Sequence, residues 1–219
     1  MAFHLRLRNR YFKLAGWKFL EPIFNVQDIF VFDLERAGRL SSLTHPLPPG
    51  ITVRIHVKPC ESDLDEIFAL LGQAGLPRGI AEERLKRGDM LALATANEAI
   101  AAYSWTTFSR AWIAEARRFL SLRKDQAVQY DTLVMPSWRG KGLQYALTRP
   151  VLEHLAKLGY KQTVAWVNVR NVRSIRNQLS QGKGRIATIR SSPVLGLVQL
   201  RTLSHDAGFA LEDCRKRDI

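Results

Sequence analysis

A strand-forming run, a glycine turn and a helix-forming segment follow one another between residues 127 and 158, and this succession constrains the fold most strongly. Residues 127–134 favour a strand, whereas apolar side chains recur at helical spacing over 143–158. Gly140 and Gly142 lie at the junction. Because glycine has no Cβ, several backbone N–H groups there can point at one anion, and the helix N-terminus adds partial positive charge. The stretch therefore predicts a strand, an anion-binding turn and a helix.

Positive charge is concentrated from this turn onward. The formal net charge is +13, and residues 139–219 hold fifteen Lys/Arg against five Asp/Glu, whereas residues 41–138 hold eleven of each. An anionic partner is the natural inference. Coenzyme A, nucleic acid and an anionic lipid surface each satisfy it, and charge does not choose among them. Residues 1–20 add five basic residues among aromatic ones, a composition compatible with binding to an anionic membrane surface.

Several classes of protein are disfavoured by composition. No apolar run approaches the roughly 20 residues that cross a bilayer, and the N-terminus lacks the compact apolar centre of a signal peptide, so we expect a cytoplasmic protein. Cys60 and Cys214 lie far apart without His or Cys neighbours at ligand spacing. This spacing supports neither a zinc site nor a disulfide framework. The five histidines form no ligand pattern either, so no metal site is predicted.

The remaining pattern predicts one domain behind a short extension. Proline and glycine at positions 46 to 50 are typical of a linker, so we expect an N-terminal extension over 1–50 with a short strand at 28–34, and a domain over 51–219. The predicted order from residue 51 is a strand, two helices, three strands, the helix after the glycine turn, a strand, a short helix and two closing strands. Ser62 is expected to cap the first helix.

Two motifs in this order resemble the coenzyme A site of the GNAT acyltransferase superfamily. Arg139-Gly140-Lys141-Gly142-Leu143-Gln144 resembles the Arg/Gln-x-x-Gly-x-Gly/Ala signature, and the segment from Asn171 through Ser174 to Gly182 resembles the Asn-x-x-Ala/Ser helix. The resemblance covers roughly residues 51–203. It implies an α/β (α+β) fold with a mixed, mostly antiparallel sheet, in which two central parallel strands splay apart to hold the pantetheine arm.

The resemblance also implies which residues bind the coenzyme. The backbone and side chains of the first motif would hold the pyrophosphate, and Asn171 and Ser174 would contact the coenzyme from the second. A backbone N–H near the end of the strand would polarise the thioester carbonyl. The residue implied for this last role is Leu133, Val134 or Met135.

Three positions depart from the superfamily pattern. Gln144 stands where a small residue is usual, and Lys183 replaces the phenylalanine that usually follows Gly182. Gln178 stands where many members have a tyrosine that protonates the departing thiolate. A glutamine cannot serve as that acid, so these departures bear on the mechanism more than on the fold.

The resemblance thus implies a coenzyme A dependent N-acyltransferase, in which an unspecified amine acceptor directly attacks the thioester of its co-substrate acetyl-CoA. No metal is predicted. Asp131, the one acid of the predicted strand, shares a face with Gln129 and Leu133 and is the candidate base. Pairing with a nearby arginine is the alternative for this carboxylate. Trp166 stands where some members have a glutamate. The competing hypotheses are a non-catalytic coenzyme A binding module and a basic protein that binds nucleic acid or a membrane surface; a homodimer is compatible with each.

Overall fold

The computed structural model describes residues 25–34, 47–192, 195–203 and 210–213. The described residues form eleven strands and four α-helices, with a short 3₁₀ turn at Pro136–Trp138. In chain order they are β1 Asn25–Asp33, β2 Ile51–His56, α1 Glu61–Gln73, α2 Arg78–Arg87, β3 Met90–Ala96, β4 Ala99–Thr107, β5 Arg110–Ile113, β6 Arg118–Ser121, β7 Gln126–Val134, α3 Leu143–Lys157, β8 Gln162–Asn168, α4 Val172–Ser180, β9 Gly184–Ser192, β10 Leu197–Thr202 and β11 Ala210–Asp213.

Eight strands form one mixed sheet in the order β10-β9-β1-β8-β7-β4-β3-β2. Among the described strands only β7 and β8 pair in parallel, and α3 is the crossover helix that such pairing requires. Alternate residues of β3 face opposite sides: Leu91 and Leu93 pack with α1, whereas Ala92 and Ala94 pack in a cluster with α3. Helices therefore flank the sheet on both faces. The predicted fold class is confirmed.

The short strand predicted at 28–34 is present as β1, and it lies inside the sheet. It pairs antiparallel with β8 on one side and with β9 on the other. Ile29, Phe30 and Phe32 are almost completely buried, which fits a central strand with apolar side chains on both faces. The division of the chain at residue 51 stays a prediction, but a chain that began at Ile51 would lack this central strand.

Local assignments agree with the sequence in most elements and differ in two. Asn97 and Glu98 both have positive φ, as a tight hairpin turn between β3 and β4 requires. The N-cap of α1 is Cys60, so the prediction that Ser62 caps this helix is wrong. Residues 110–125, for which the sequence predicted no helix or strand, form β5 and β6, which join β11 in a separate three-stranded sheet.

Membrane contact was predicted for residues 1–20, which lie outside the described residues. Within the part of the chain that the structure describes, none of the helices combines the length and the apolar character needed to span a bilayer.

Candidate active-site cleft

The parallel strands β7 and β8 pair over only three residues and then separate. The last pair joins Val128 to Val164. Beyond it, residues 129–134 of β7 and 165–167 of β8 form the two walls of a cleft of about 710 Å³. The glycine turn, the start of α3 and one face of α4 complete the lining. The splayed strands that the resemblance implies are therefore present, and they enclose space for an extended ligand.

The glycine turn forms the open end of the cleft. Gly140 and Gly142 have φ values of 80° and 74°, which lie in the left-handed region where glycine is favoured. Gly142 is the N-cap of α3, and no described side chain caps this end or places an acid in its first turn. The first N–H groups of a helix have no partner within the helix, so those of Leu143 and Gln144 are available to an anion.

The basic residues of the turn point in different directions. Arg139 lines the cleft, and its Nε donates to the carbonyl oxygen of Val134 at 3.2 Å. Lys141 is not part of the lining; its Nζ lies 4.5 Å from the centre of the Trp138 ring. The structure therefore brings the first of these two predicted residues into the cleft and leaves the second at its rim.

One of the three predicted backbone amides of β7 faces the cleft. The N–H of Met135 donates to Ala101 across the sheet, and Leu133 pairs with Tyr103. Because N–H groups alternate in direction along a strand, the N–H of Val134 points away from β4 and toward the cleft. The contact of Arg139 with the Val134 carbonyl agrees with this direction. Of the three alternatives for the oxyanion donor, the Met135 amide is occupied within the sheet.

The second motif, together with β8, lines the cleft opposite β7. Asn171 caps α4: its Oδ1 accepts from the backbone N–H of Ser174 at 3.1 Å, and both residues line the cleft. Gln144 also lines the cleft, and its Oε1 accepts from Asn177 at 2.6 Å. The residue that departs from the superfamily pattern at the turn thus ties the start of α3 to α4.

Asp131 lies at a β-bulge, which changes its surroundings. The pairing of β4 with β7 shifts between Tyr103 and Trp105, and Asp131 has a φ of 44°. Its carboxylate accepts from Arg84 of α2 at 2.5 Å and from the Tyr103 hydroxyl at 3.3 Å. Gln129 instead contacts Lys183, on the α4 side of the sheet. The predicted shared face of Asp131 and Gln129 is therefore wrong, because the bulge interrupts the alternation.

A second polar network, which the sequence did not reveal, adjoins Asp131. The Tyr130 hydroxyl donates to the buried Asp89, which also pairs with Arg87 at 2.5 Å. Burial raises the pKa of Tyr130 above its usual value, and the Asp89 carboxylate adds to the rise. Burial likewise raises the pKa of Tyr103 to about 12. Both phenols therefore stay protonated at neutral pH and act as hydrogen-bond donors.

Lys183 is the other residue whose placement sequence reasoning missed. It lines the cleft at only 3% exposure, and its Nζ donates to Oε1 of Gln129 at 2.9 Å. Burial lowers the pKa of this amine to about 7. The available signal was its position: a lysine that replaces an apolar residue after Gly182 occupies a place that packs against the sheet.

Comparison with known proteins shows the fold. No protein-family model and no curated protein matches the sequence. A tandem GNAT protein from the clavulanic acid biosynthesis pathway is similar in structure, with a TM-score of 0.51 and 16% identity over 74% of this chain and 50% of that one. A conserved protein of unknown function from Staphylococcus epidermidis has a TM-score of 0.50 and 7% identity, over 82% of this chain and 62% of that one.

The present chain thus spans between half and two thirds of the length of these two structures. The likeness includes the mixed sheet and its flanking helices, and the splayed strands with the glycine turn are the features that the sequence motifs predicted. The protein has the GNAT acetyltransferase fold.

Proposed function

We propose that this protein is a coenzyme A dependent N-acyltransferase, which in the simplest case transfers acetyl from acetyl-CoA to an amine. One observation carries this proposal: the cleft between the diverging strands is narrow at the Val128 and Val164 end and opens onto the glycine turn at the N-terminus of α3. A long thin substrate with an apolar arm and a phosphate group at one end fits such a cleft.

Each part of an acyl-CoA substrate has a complementary group in the cleft. The pyrophosphate would accept from the N–H groups of Leu143 and Gln144, with Arg139 beside them. The pantetheine amides would pair with the free edge of β7 at Val134, as an added strand does. Asn171 and Ser174 would line the other side.

The chemistry requires a neutral amine, a donor for the developing oxyanion and a proton for the leaving thiolate. An N–H on the free edge of β7 between Val128 and Val134 would stabilise the oxyanion, because Val134 itself adjoins the phosphate-binding end and would pair with the pantetheine. Asp131 remains the proposed base, in competition with its ion pair to Arg84. Attack of the amine nitrogen on the carbonyl carbon would release the thiol without a covalent enzyme intermediate.

Two measurements test the proposal in sequence. Calorimetry with coenzyme A and acetyl-CoA should show binding to a single site on the full-length protein, and a panel of amines should then include at least one that stimulates thiol release. Binding of acetyl-CoA without stimulation of thiol release by any of the amines would favour the non-catalytic module instead. The ion pair of Asp131 and the glutamine at position 178 are the observations that favour this second candidate. Absence of binding would contradict both.

Phosphate recognition gives the first mutational prediction. The double variant Arg139→Ala/Lys141→Ala should raise the Kd for coenzyme A by about 10- to 100-fold, since charge-assisted hydrogen bonds contribute roughly 1.5–3 kcal/mol each. Arg139 should account for most of the loss because it lines the cleft. Calorimetry measures the change. A matched variant, Lys58→Ala/Lys124→Ala, removes the same charge from exposed sites outside the cleft lining and should bind normally; equal affinities in all three proteins would contradict the assignment.

The turn itself gives a second prediction. Gly142→Val should destabilise the protein and also weaken coenzyme A binding, because a β-branched residue at a φ of 74° is strained by about 1–2 kcal/mol and would disturb the N–H groups aimed at the phosphate. Gly159→Val is the matched control. It lies at the other end of α3 with a φ of +83° and open space around an added Cβ. Both variants should lower Tm similarly, and only the first should raise Kd; an equal effect on binding would make the turn a general structural requirement.

A further inference from the structure

Lys183 lies at the narrow end of the cleft. Its hydrogen-bond partner Gln129 is the first residue of β7 after Val128, where the pairing with β8 ends. Along a strand that rises about 3.3 Å per residue, Gln129 is roughly 16 Å from Val134, which adjoins the phosphate-binding end. A chain-like substrate whose phosphates lie at the glycine turn would therefore bring its reactive end toward Lys183.

The ammonium group has no counterion of its own. Among the described residues, its hydrogen-bond partner is an amide oxygen, and no carboxylate lies within ion-pair distance. The other charged side chains that line the cleft are Asp131, Arg139 and Arg173, and Asp131 is paired with Arg84. A buried amine without a counterion is stabilised by a negative charge that develops next to it. An anion that forms only during a reaction meets this requirement.

The other candidate proton donors on the cleft wall either have no acidic proton or are hydrogen-bonded elsewhere. Gln178 has no acidic proton, and its buried Oε1 has no partner among the described residues. Tyr145 is hydrogen-bonded to Ser180 of α4, and Tyr130 donates to Asp89. Lys183 follows α4 directly, on the same wall as Gln178. The Lys183 amine thus reaches the cleft from the same wall as Gln178, which stands where many superfamily members have a tyrosine.

Resting on the proposed function, we propose that Lys183 protonates the departing thiolate of coenzyme A. The acceptor nitrogen bonds to the thioester carbon, the C–S bond breaks with its electron pair on sulfur, and the Lys183 ammonium gives a proton to that sulfur. The new amide nitrogen loses its extra proton to the base or to solvent, and Lys183 regains a proton from solvent. The products are the N-acyl amine and the free thiol, so atoms and charge balance.

The ionisation of Lys183 agrees with this role. Burial brings the pKa of the amine to about 7, so a substantial fraction is protonated at neutral pH and the proton is released readily. A general acid is most effective when its pKa lies near the working pH. Because the acid must be protonated to act, the rate of thiol release should fall as the pH rises through this value.

The test uses the full-length protein, acetyl-CoA and an amine that the wild type acetylates. Lys183→Met should lower kcat by about 10²-fold or more and abolish the decrease at higher pH, while coenzyme A affinity and Tm stay near those of the wild type. Lys183→Arg keeps the charge but does not release a proton at neutral pH. Its kcat should therefore also be low and should not fall at higher pH. Lys124→Met, at an exposed position, should match the wild type.

A chemical variant separates proton donation from packing. Lys183→Cys, made without the native cysteines and alkylated to an aminoethyl thioether, restores a less basic amine at the same place. The rate should recover, and its decrease should move to lower pH. An active wild type with an unchanged rate and profile in Lys183→Met, or an aminoethylated protein with an unmoved profile, would overturn the role of Lys183 alone. If the wild type binds coenzyme A but none of the tested amines stimulates thiol release, the proposed function is overturned, and this inference with it.

Discussion

Replacing Phe32 with alanine is expected to lower the free energy of unfolding by about 3–5 kcal/mol, the usual loss for a large aromatic residue removed from a packed core. Phe32 is 1% exposed and belongs to the cluster that holds Leu147, Val151 and Leu152 of α3. Its ring also lies 3.9 Å from the position of a Cβ at Gly182, beside the end of α4. The side chain therefore supports both the crossover helix and the wall that carries Lys183.

Urea unfolding measures this loss, and a lowering of Tm by roughly 6–20 °C should accompany it. Phe119→Ala is the matched control, because Phe119 is only half-buried and makes a tilted ring contact with Trp112 in the small sheet. It should lose about 1 kcal/mol. A loss in Phe32→Ala no larger than in this control would mean that β1 is a peripheral strand, contrary to its place between β8 and β9.

Asp131→Asn carries the second large effect. If Asp131 deprotonates the acceptor amine, the variant should lower the acyl-transfer rate by about 10²-fold or more with little change in coenzyme A affinity. Asparagine is nearly isosteric: its amide oxygen can accept from Arg84 and its NH2 group can donate to the Tyr103 hydroxyl, so the bulge should persist. Steady-state rates and calorimetry on the same preparations measure the two quantities.

Arg84→Met separates the base from the ion pair. It removes the partner of Asp131 at 2.5 Å while keeping the carboxylate. If the carboxylate acts only through the pair, both variants should lose stability to a similar extent, and both should keep their rate once corrected for folded protein. That pattern would exclude Asp131 as the base and leave the acceptor to lose its proton to water.

Local patterns in the sequence were sufficient for much of the fold and for the open end of the cleft. The run at 127–134 and the helical spacing after Gly142 predicted β7 and α3 within a residue or two. The glycine pair predicted the turn before α3, where both glycines have positive φ in the structure. These features depend on neighbours in sequence, and for that reason spacing and residue type were informative.

The features that were missed depend on residues far apart in sequence. The bulge at Asp131 arises from the pairing of β7 with β4, and one extra residue reverses the faces that simple alternation predicts. The same pairing occupies the Met135 amide. Burial of Lys183 depends on its contact with Gln129 of β7, which lies 54 residues earlier in the chain. Local propensity contains no information on such contacts.

The position of β1 affects how the chain can fold during synthesis. About 130 residues separate β1 from its partner β8, and β9 follows later still. At 5–20 residues per second, the ribosome needs on the order of 10 s to make those partners after β1 is complete. During that time the buried side chains of Ile29, Phe30 and Phe32 have neither neighbouring strand, and long-range pairing of this kind slows folding. The nascent chain should therefore depend on chaperone protection of its first strand until the last third is made.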